Sequence, residues 1–212
     1  MPKTVPQPAA TPISVLGIRY IPDYLDRDAH DQLLFAIDSH RWLTTVDHRV
    51  QVHGYHYNHR ARDAYRLGEL PAWAAALATR LYQDGFIATI PNQLVANEYQ
   101  PGEGFFDHVD QPVFGDVVIS VSLGSTCAMR FTHTEPDASH ELLLEPASVL
   151  VLSGEARWHW KHGIPARSLD VWQGREYQRS RRVSLTFRSI PDAHSAPRPP
   201  WREPGRPSDG EV

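Results

Sequence analysis

The sequence predicts an α+β, mainly β fold: a jelly roll, that is, an antiparallel sandwich or barrel, with helices packed on one outer face. Three observations lead there. Helical spacing is confined to the first half of the chain. From about residue 92, short apolar or alternating runs follow one another between turn residues. No internal repeat breaks this order.

The start of the chain is spaced by Pro2, Pro6, Pro8 and Pro12, and its end reads "APRPPWREPGRPSDGEV". Neither composition can form a packed core, so residues 1–12 and 192–212 are expected to be disordered tails around a single domain at 13–191. Within it, "DRDAHDQLLFAIDSH" opens with acids suited to a helix N-terminus and carries Leu33, Leu34 and Ile37 at helical spacing. A second helix is expected in "LPAWAAALATRLYQDG": Pro71 suits the first turn, Trp73, Leu77 and Leu81 form one stripe, and Gly85 is a stop. The strands of the core, about 92–190, are then "QLVANEY", "DVVISVSL", "CAMRFTH", "ELLLE", "SVLVLS", "RWHWKH" and "RRVSLTF".

Composition bounds the function. The 212 residues hold one sizeable core, and 41% hydrophobic with 22% charged residues is ordinary for a soluble globular protein. The single cysteine, Cys127, excludes an intrachain disulfide framework and fits a reducing compartment. No apolar run is long enough to span a bilayer, and the start lacks a signal-peptide core, so a soluble cytoplasmic monomer without membrane contact is expected. The net charge of −4 argues against coating nucleic acid through overall charge, although arginines cluster at 49–66 and 175–188.

The chemistry gathers in the strand-rich part. In "FFDHVDQP", His108 and Asp110 stand two apart, a spacing that turns both side chains to one side of a strand and lets an imidazole and a carboxylate share an ion. In "RRVSLTFR", Arg182, Ser184, Thr186 and Arg188 share one parity and Val183, Leu185 and Phe187 the other. If the apolar face packs on the helices, the polar face points into the barrel, where two arginines need anions. Six residues of strand span roughly 20 Å, which leaves room between inward-reaching arginines for a short dicarboxylate. Asn97 and Tyr99, two apart in "ANEYQPGEG", offer hydrogen bonds to a carboxylate or keto acid. A third metal ligand is available in "RWHWKHGI", where His162 shares the parity of Trp158 and Trp160 and precedes a glycine; His159 competes from the opposite parity.

"NEYQPGEGFFDHVD", "VISVSLGS", "RWHWKHGI" and "RRVSLTFR", in that order, resemble the AlkB family of iron(II)- and 2-oxoglutarate-dependent dioxygenases over about residues 49–190. The resemblance implies a double-stranded β-helix in which His108, Asp110 and His162 bind iron and Asn97, Tyr99, Arg182, Ser184 and Arg188 hold 2-oxoglutarate, with dioxygen as the other cosubstrate. Two imidazoles and one carboxylate leave three iron positions open, enough for a bidentate 2-oxo acid and dioxygen. The keto acid would leave as succinate and carbon dioxide while a C–H bond is oxidised. A carbon attached to nitrogen would then depart as formaldehyde, and a carbon attached only to carbon would remain as an alcohol.

In this family the segment before the barrel covers a modified nucleobase, and here that lid is expected at about 45–66. Tyr55 and Tyr57 are candidates for stacking on a base, and Arg49, Arg60 and Arg62 for meeting phosphates of DNA or RNA. His53, His56 and His59 do not keep one strand face and read as exposed or lid residues. Alkylation-repair members place an acid two positions after the metal Asp; here Pro112 stands there, with Gln111 before it as a further candidate substrate contact. "RWHWKHGI" is closer to members that act on modified transfer RNA uridines. Oxidative demethylation or hydroxylation of a modified nucleobase is therefore expected. The alternatives are a dioxygenase acting on a protein side chain or small metabolite, which would differ only in the lid, and a nonenzymatic metal-binding jelly roll, against which the paired arginines argue.

Overall fold

A computed structural model describes residues 15–45, 48–135 and 138–191, so the expected tails at 1–12 and 192–212 lie outside the described residues. The chain runs through β1 (Ile18–Ile21), α1 (Arg27–Asp38), β2 (Leu43–Thr44), β3 (Arg49–His53), β4 (Tyr55–Asn58), β5 (Asp63–Arg66) and α2 (Ala72–Gln83). Then come β6 (Gln93–Tyr99), β7 (Phe105–His108), β8 (Val117–Gly124), β9 (Cys127–His133), β10 (Ser139–Leu144) and β11 (Val149–Ser153). The last part holds α3 (Gly154–Trp158), β12 (Trp160–Ile164), β13 (Leu169–Trp172), β14 (Arg175–Gln178) and β15 (Arg182–Arg188).

Both long helices form where their periodicity predicts. The Asp26 carboxylate caps α1 by accepting from the Ala29 N–H at 2.8 Å, and Leu33 and Ile37 are buried. Helix α2 starts after Pro71, buries Leu77 and Leu81 with Ala74 and Ala78, and stops before Gly85, whose φ of +73° lies in the left-handed region.

The helices cover a seven-stranded antiparallel sheet of order β1-β11-β8-β15-β6-β3-β2, and a four-stranded sheet, β10-β9-β12-β7, completes the jelly roll. Strand β15 is central, bonded to β6 on one side and β8 on the other. Its Val183, Leu185 and Phe187 are fully buried with the helix residues Leu33, Ile37, Leu77 and Leu81. Its Arg182, Ser184, Thr186 and Arg188 line the interior cavity. A one-residue slip would exchange these faces, losing about 1.5–3 kcal/mol for each apolar side chain and driving two guanidinium groups under the helices. The polarity of this one strand thus dictates which side of the sheet is core and which is site.

Two hairpins extend from the sandwich: β4–β5 near the cavity mouth, and β13–β14. Among the described residues, no helix is long and apolar enough to cross a membrane. One expectation fails locally. "RWHWKH" is not a single strand, because Gly154–Trp158 coils into the short α3 and strand structure resumes only at Trp160. Trp158 therefore does not share the face of Trp160 and His162; its ring lies instead under the Arg157 guanidinium, 4.2 Å away.

Candidate active site

His108 and His162 are direct partners across the β7–β12 ladder, and Asp110 follows β7 by two residues. The two imidazole centroids lie 4.5 Å apart, and one ligand atom from each of the three residues falls within 4.8 Å of the others. Close strand approach makes this possible. A Cβ on Gly163 would sit 2.3 Å from Asp107 Oδ1 and 2.8 Å from the Phe105 carbonyl, so only glycine can follow His162 here. Nδ1 of His108 lies 3.0 Å from the Phe106 carbonyl and donates to it, which leaves Nε2 for a metal.

Charge at this cluster suits a cation. Burial pushes the Asp110 carboxyl upward, but Arg188, His162, His108 and Arg157 outweigh it and hold it at about 2. Burial lowers His162 to about 4 against the pull of Asp110, so its imidazole is neutral near pH 7 and its 3.4 Å approach to Asp110 is not an ion pair. Arg188 bonds Asp110 Oδ1, whereas Asp110 Oδ2 is buried without a partner. Two imidazoles and an ionised carboxylate with an unsatisfied oxygen form the donor set that iron(II) takes with three positions left open.

The Asp110 loop is held by a residue that pattern reading passes over. Arg157 is only 2% exposed, yet it donates to the carbonyls of Asp110, Gln111 and Gly115 at 2.9, 2.8 and 3.0 Å. It comes from α3, five residues before His162, and so ties the two metal-ligand segments to each other. Its sequence context, an arginine between alanine and tryptophan, carries no periodic signal.

At the far end of the cavity Arg182 is 2% exposed and has no carboxylate partner among the described residues. Nη2 donates to Ser122 Oγ at 3.1 Å, Nε has no partner, and the guanidinium lies 5.6 Å from the Tyr99 ring centroid. Burial raises the Tyr99 phenol, which therefore remains a protonated donor. Ser184 pairs with Ser120, Oγ to Oγ 2.9 Å, and Asn97 faces the same space. A desolvated, unpaired guanidinium ringed by hydroxyls is an anion site. His48 joins it: Nε2 is 2.9 Å from Asn97 Oδ1, and the ring stacks on Tyr99 with centroids 5.3 Å apart. His48 shares its parity with the cavity-lining Val50 and Val52, a signal readable only once the inward face of β3 is known.

The cavity joining these ends has a volume of about 560 Å³, more than a five-carbon keto acid fills. Its mouth is bordered by His56, Tyr57, His59, Gln111 and Phe106, and the Phe106 ring is 69% exposed. Tyr57 does face the cavity, edge-on to Phe114. Tyr55 does not, being buried with Ala64, Phe114 and Ile190. Arg49 is also placed differently from expectation, because the buried Glu98 binds its Nε and Nη2 and draws it to the helix side of the sheet. Arg60 and Arg62 are exposed at the tip of the β4–β5 hairpin and make no ion pair among the described residues. His53 packs edge-on to Trp73 and His40, and His159 lies beside His133, so neither joins the metal cluster.

The comparisons with known proteins agree with this geometry. Residues 35–188 match the model of the 2OG-Fe(II) oxygenase superfamily. Over 84% of its length the chain is 33% identical to the Alkylated DNA repair protein ALKBH8 homolog of Arabidopsis thaliana, covering 59% of that protein. Over 82% it is 33% identical to the tRNA (carboxymethyluridine(34)-5-O)-methyltransferase ALKBH8 of Mus musculus, covering 30% of it. The solved structure of OsALKBH1 superposes with a TM-score of 0.58 at 18% identity over 82% of this chain and 96% of that one, which shows the shared fold. The chain is an iron(II)- and 2-oxoglutarate-dependent oxygenase, and within that superfamily it belongs to the AlkB family.

Proposed function

We propose that the chain hydroxylates a carbon substituent of a modified uridine in RNA, with Arg182, Tyr99, Asn97, Ser184 and Arg188 holding 2-oxoglutarate. The observation that carries the cosubstrate assignment is the buried Arg182 without an acid, on the same cavity wall as Arg188 and facing the cluster of His108, Asp110 and His162. Bound iron and 2-oxoglutarate supply, with dioxygen, the oxidation of a C–H bond, one oxygen atom going to the new hydroxyl and the other to succinate as carbon dioxide leaves.

The chain's own residues set where that happens. Arg182 and the Tyr99 phenol meet the distal carboxylate, and Arg188 steadies the Asp110 carboxylate whose free oxygen faces the metal position. The Asn97 amide, oriented by His48, presents its Nδ2 to the keto acid. Apolar side chains of the interior, Met129, Leu150 and Ile164 among them, keep water from the reacting centre.

Three features support a nucleobase in RNA. The exposed Phe106 ring stands beside His108, with centroids 5.4 Å apart, as a stacking platform at the mouth. Arg60 and Arg62 present exposed cations at the hairpin tip, with no ion pair among the described residues. One relative is named for a carboxymethyluridine of transfer RNA, and Pro112 stands where repair members carry an acid. A side chain joined to the uracil ring through carbon yields a stable alcohol, so succinate forms without formaldehyde. The test is to incubate the iron-loaded protein with total RNA and with total DNA, with and without 2-oxoglutarate, and to compare nucleosides by mass spectrometry. A uridine derivative gaining one oxygen only when 2-oxoglutarate is present is expected, and no change in any nucleoside of either pool overturns the reading.

A further inference from the structure

Gln93 begins β6 opposite Arg188, the last residue of β15, and is 1% exposed on the cavity wall. Its Nε2 donates to the Tyr55 carbonyl at 3.0 Å, at the first residue of the lid hairpin. That bond fixes the amide: the nitrogen faces the lid backbone and the oxygen turns the other way. Oε1 has no partner among the described residues, although a buried acceptor left unpaired is costly. Iron and dioxygen bring no hydrogen-bond donor, and ionised 2-oxoglutarate carries only acceptors. Iron, dioxygen and 2-oxoglutarate thus leave the substrate as the reactant that brings a donor to Oε1; across the ladder, Arg188 Nε is likewise buried without a partner among the described residues.

We propose that Gln93 Oε1 accepts a hydrogen bond from the imino N–H of a uracil-type base and so determines which base is admitted under the lid. This rests on the nucleobase reading above and adds to it the atom that reads the base. A ring whose imino nitrogen carries a methyl group has no hydrogen to offer and leaves Oε1 desolvated and unpaired. A site that hydrogen-bonds its substrate rejects the analogue lacking the donor far more strongly than an apolar pocket rejects a missing methylene.

The test uses two short oligoribonucleotides, one carrying 5-carboxymethyluridine and one its N3-methyl derivative. Binding to the anaerobic iron(II)- and 2-oxoglutarate-loaded protein is measured by fluorescence anisotropy. Wild-type protein is expected to prefer the N3–H form at least tenfold, and Gln93→Leu to bring the two affinities within about twofold by weakening the N3–H form. A preference that persists in Gln93→Leu assigns the discrimination to bulk or to another residue and overturns the proposal. The wild-type comparison stands without the variant, should loss of the Tyr55 bond unfold it. Equal wild-type affinities remove the role of Gln93 and leave the RNA reading intact, whereas failure to bind either oligonucleotide removes both.

Discussion

The Arg182 end of the cavity rests on β15, which is hydrogen-bonded to a strand on each side, whereas its mouth is bordered by the β4–β5 hairpin, whose two strands pair only with each other. At the first end polar side chains hold one another: Arg182 bonds Ser122, Ser184 bonds Ser120, and Asn97 bonds His48. At the second, the cations of the tip are exposed and only the hairpin base is anchored, through Tyr55 to Gln93 and through the cluster of Tyr57 with Phe114. The contrast separates two tasks. Holding the proposed cosubstrate tolerates little displacement and falls to doubly paired backbone, while the proposed substrate contacts lie on a hairpin that can vary without disturbing that strand.

The contrast breaks most sharply at the metal. Asp110→Ala removes a ligand and leaves the Arg188 guanidinium without the carboxylate it bonds. Iron(II) affinity is expected to fall by more than about 100-fold with loss of turnover, as measured by anaerobic titration. Unchanged affinity would move the metal elsewhere.

Arg182→Ala tests the rigid end without touching the metal. Binding of 2-oxoglutarate is expected to weaken by about 2–5 kcal/mol, read by calorimetry, while iron remains bound. An unaltered 2-oxoglutarate affinity would assign the anion site to other residues.

Arg157 links the two metal-ligand segments, so Arg157→Met is expected to lower iron(II) affinity by about 10–100-fold, with partial recovery in Arg157→Lys. Equal affinity in all three proteins would reduce Arg157 to a packing role.

The smallest effect belongs to the hairpin tip. Replacing Arg60 and Arg62 by glutamine is expected to weaken RNA binding for all sequences alike and to flatten the salt dependence by about 0.7 in log–log slope for each phosphate no longer neutralised. Binding insensitive to both salt and these substitutions would return the two arginines to solvent and favour a protein or metabolite substrate.

The spacing of His108 and Asp110 makes them candidate ligands, although β7 ends at His108 and Asp110 lies beyond the strand, whereas the alternation of "RRVSLTFR" and the stripes of α1 and α2 determine by themselves the sheet faces and the helical support. Each depends on a period along the chain, and a period is a local property. The third ligand was readable as His162 through the parity it shares with Trp160, although Trp158 lies in α3 and contributes nothing to that argument. What only the tertiary structure decided is which polar atoms find partners across long stretches of sequence. Arg49 and Arg60 look alike in a charge count, yet the buried Glu98 binds Arg49 while Arg60 stands exposed at the hairpin tip. Tyr55 and Tyr57 share a strand face, yet only Tyr57 reaches the cavity. Arg157 braces three carbonyls more than 40 residues away, and Gln93 keeps one unpaired oxygen because its nitrogen is spent on the lid. Such roles depend on desolvation and on which groups meet, quantities that no short window of sequence contains.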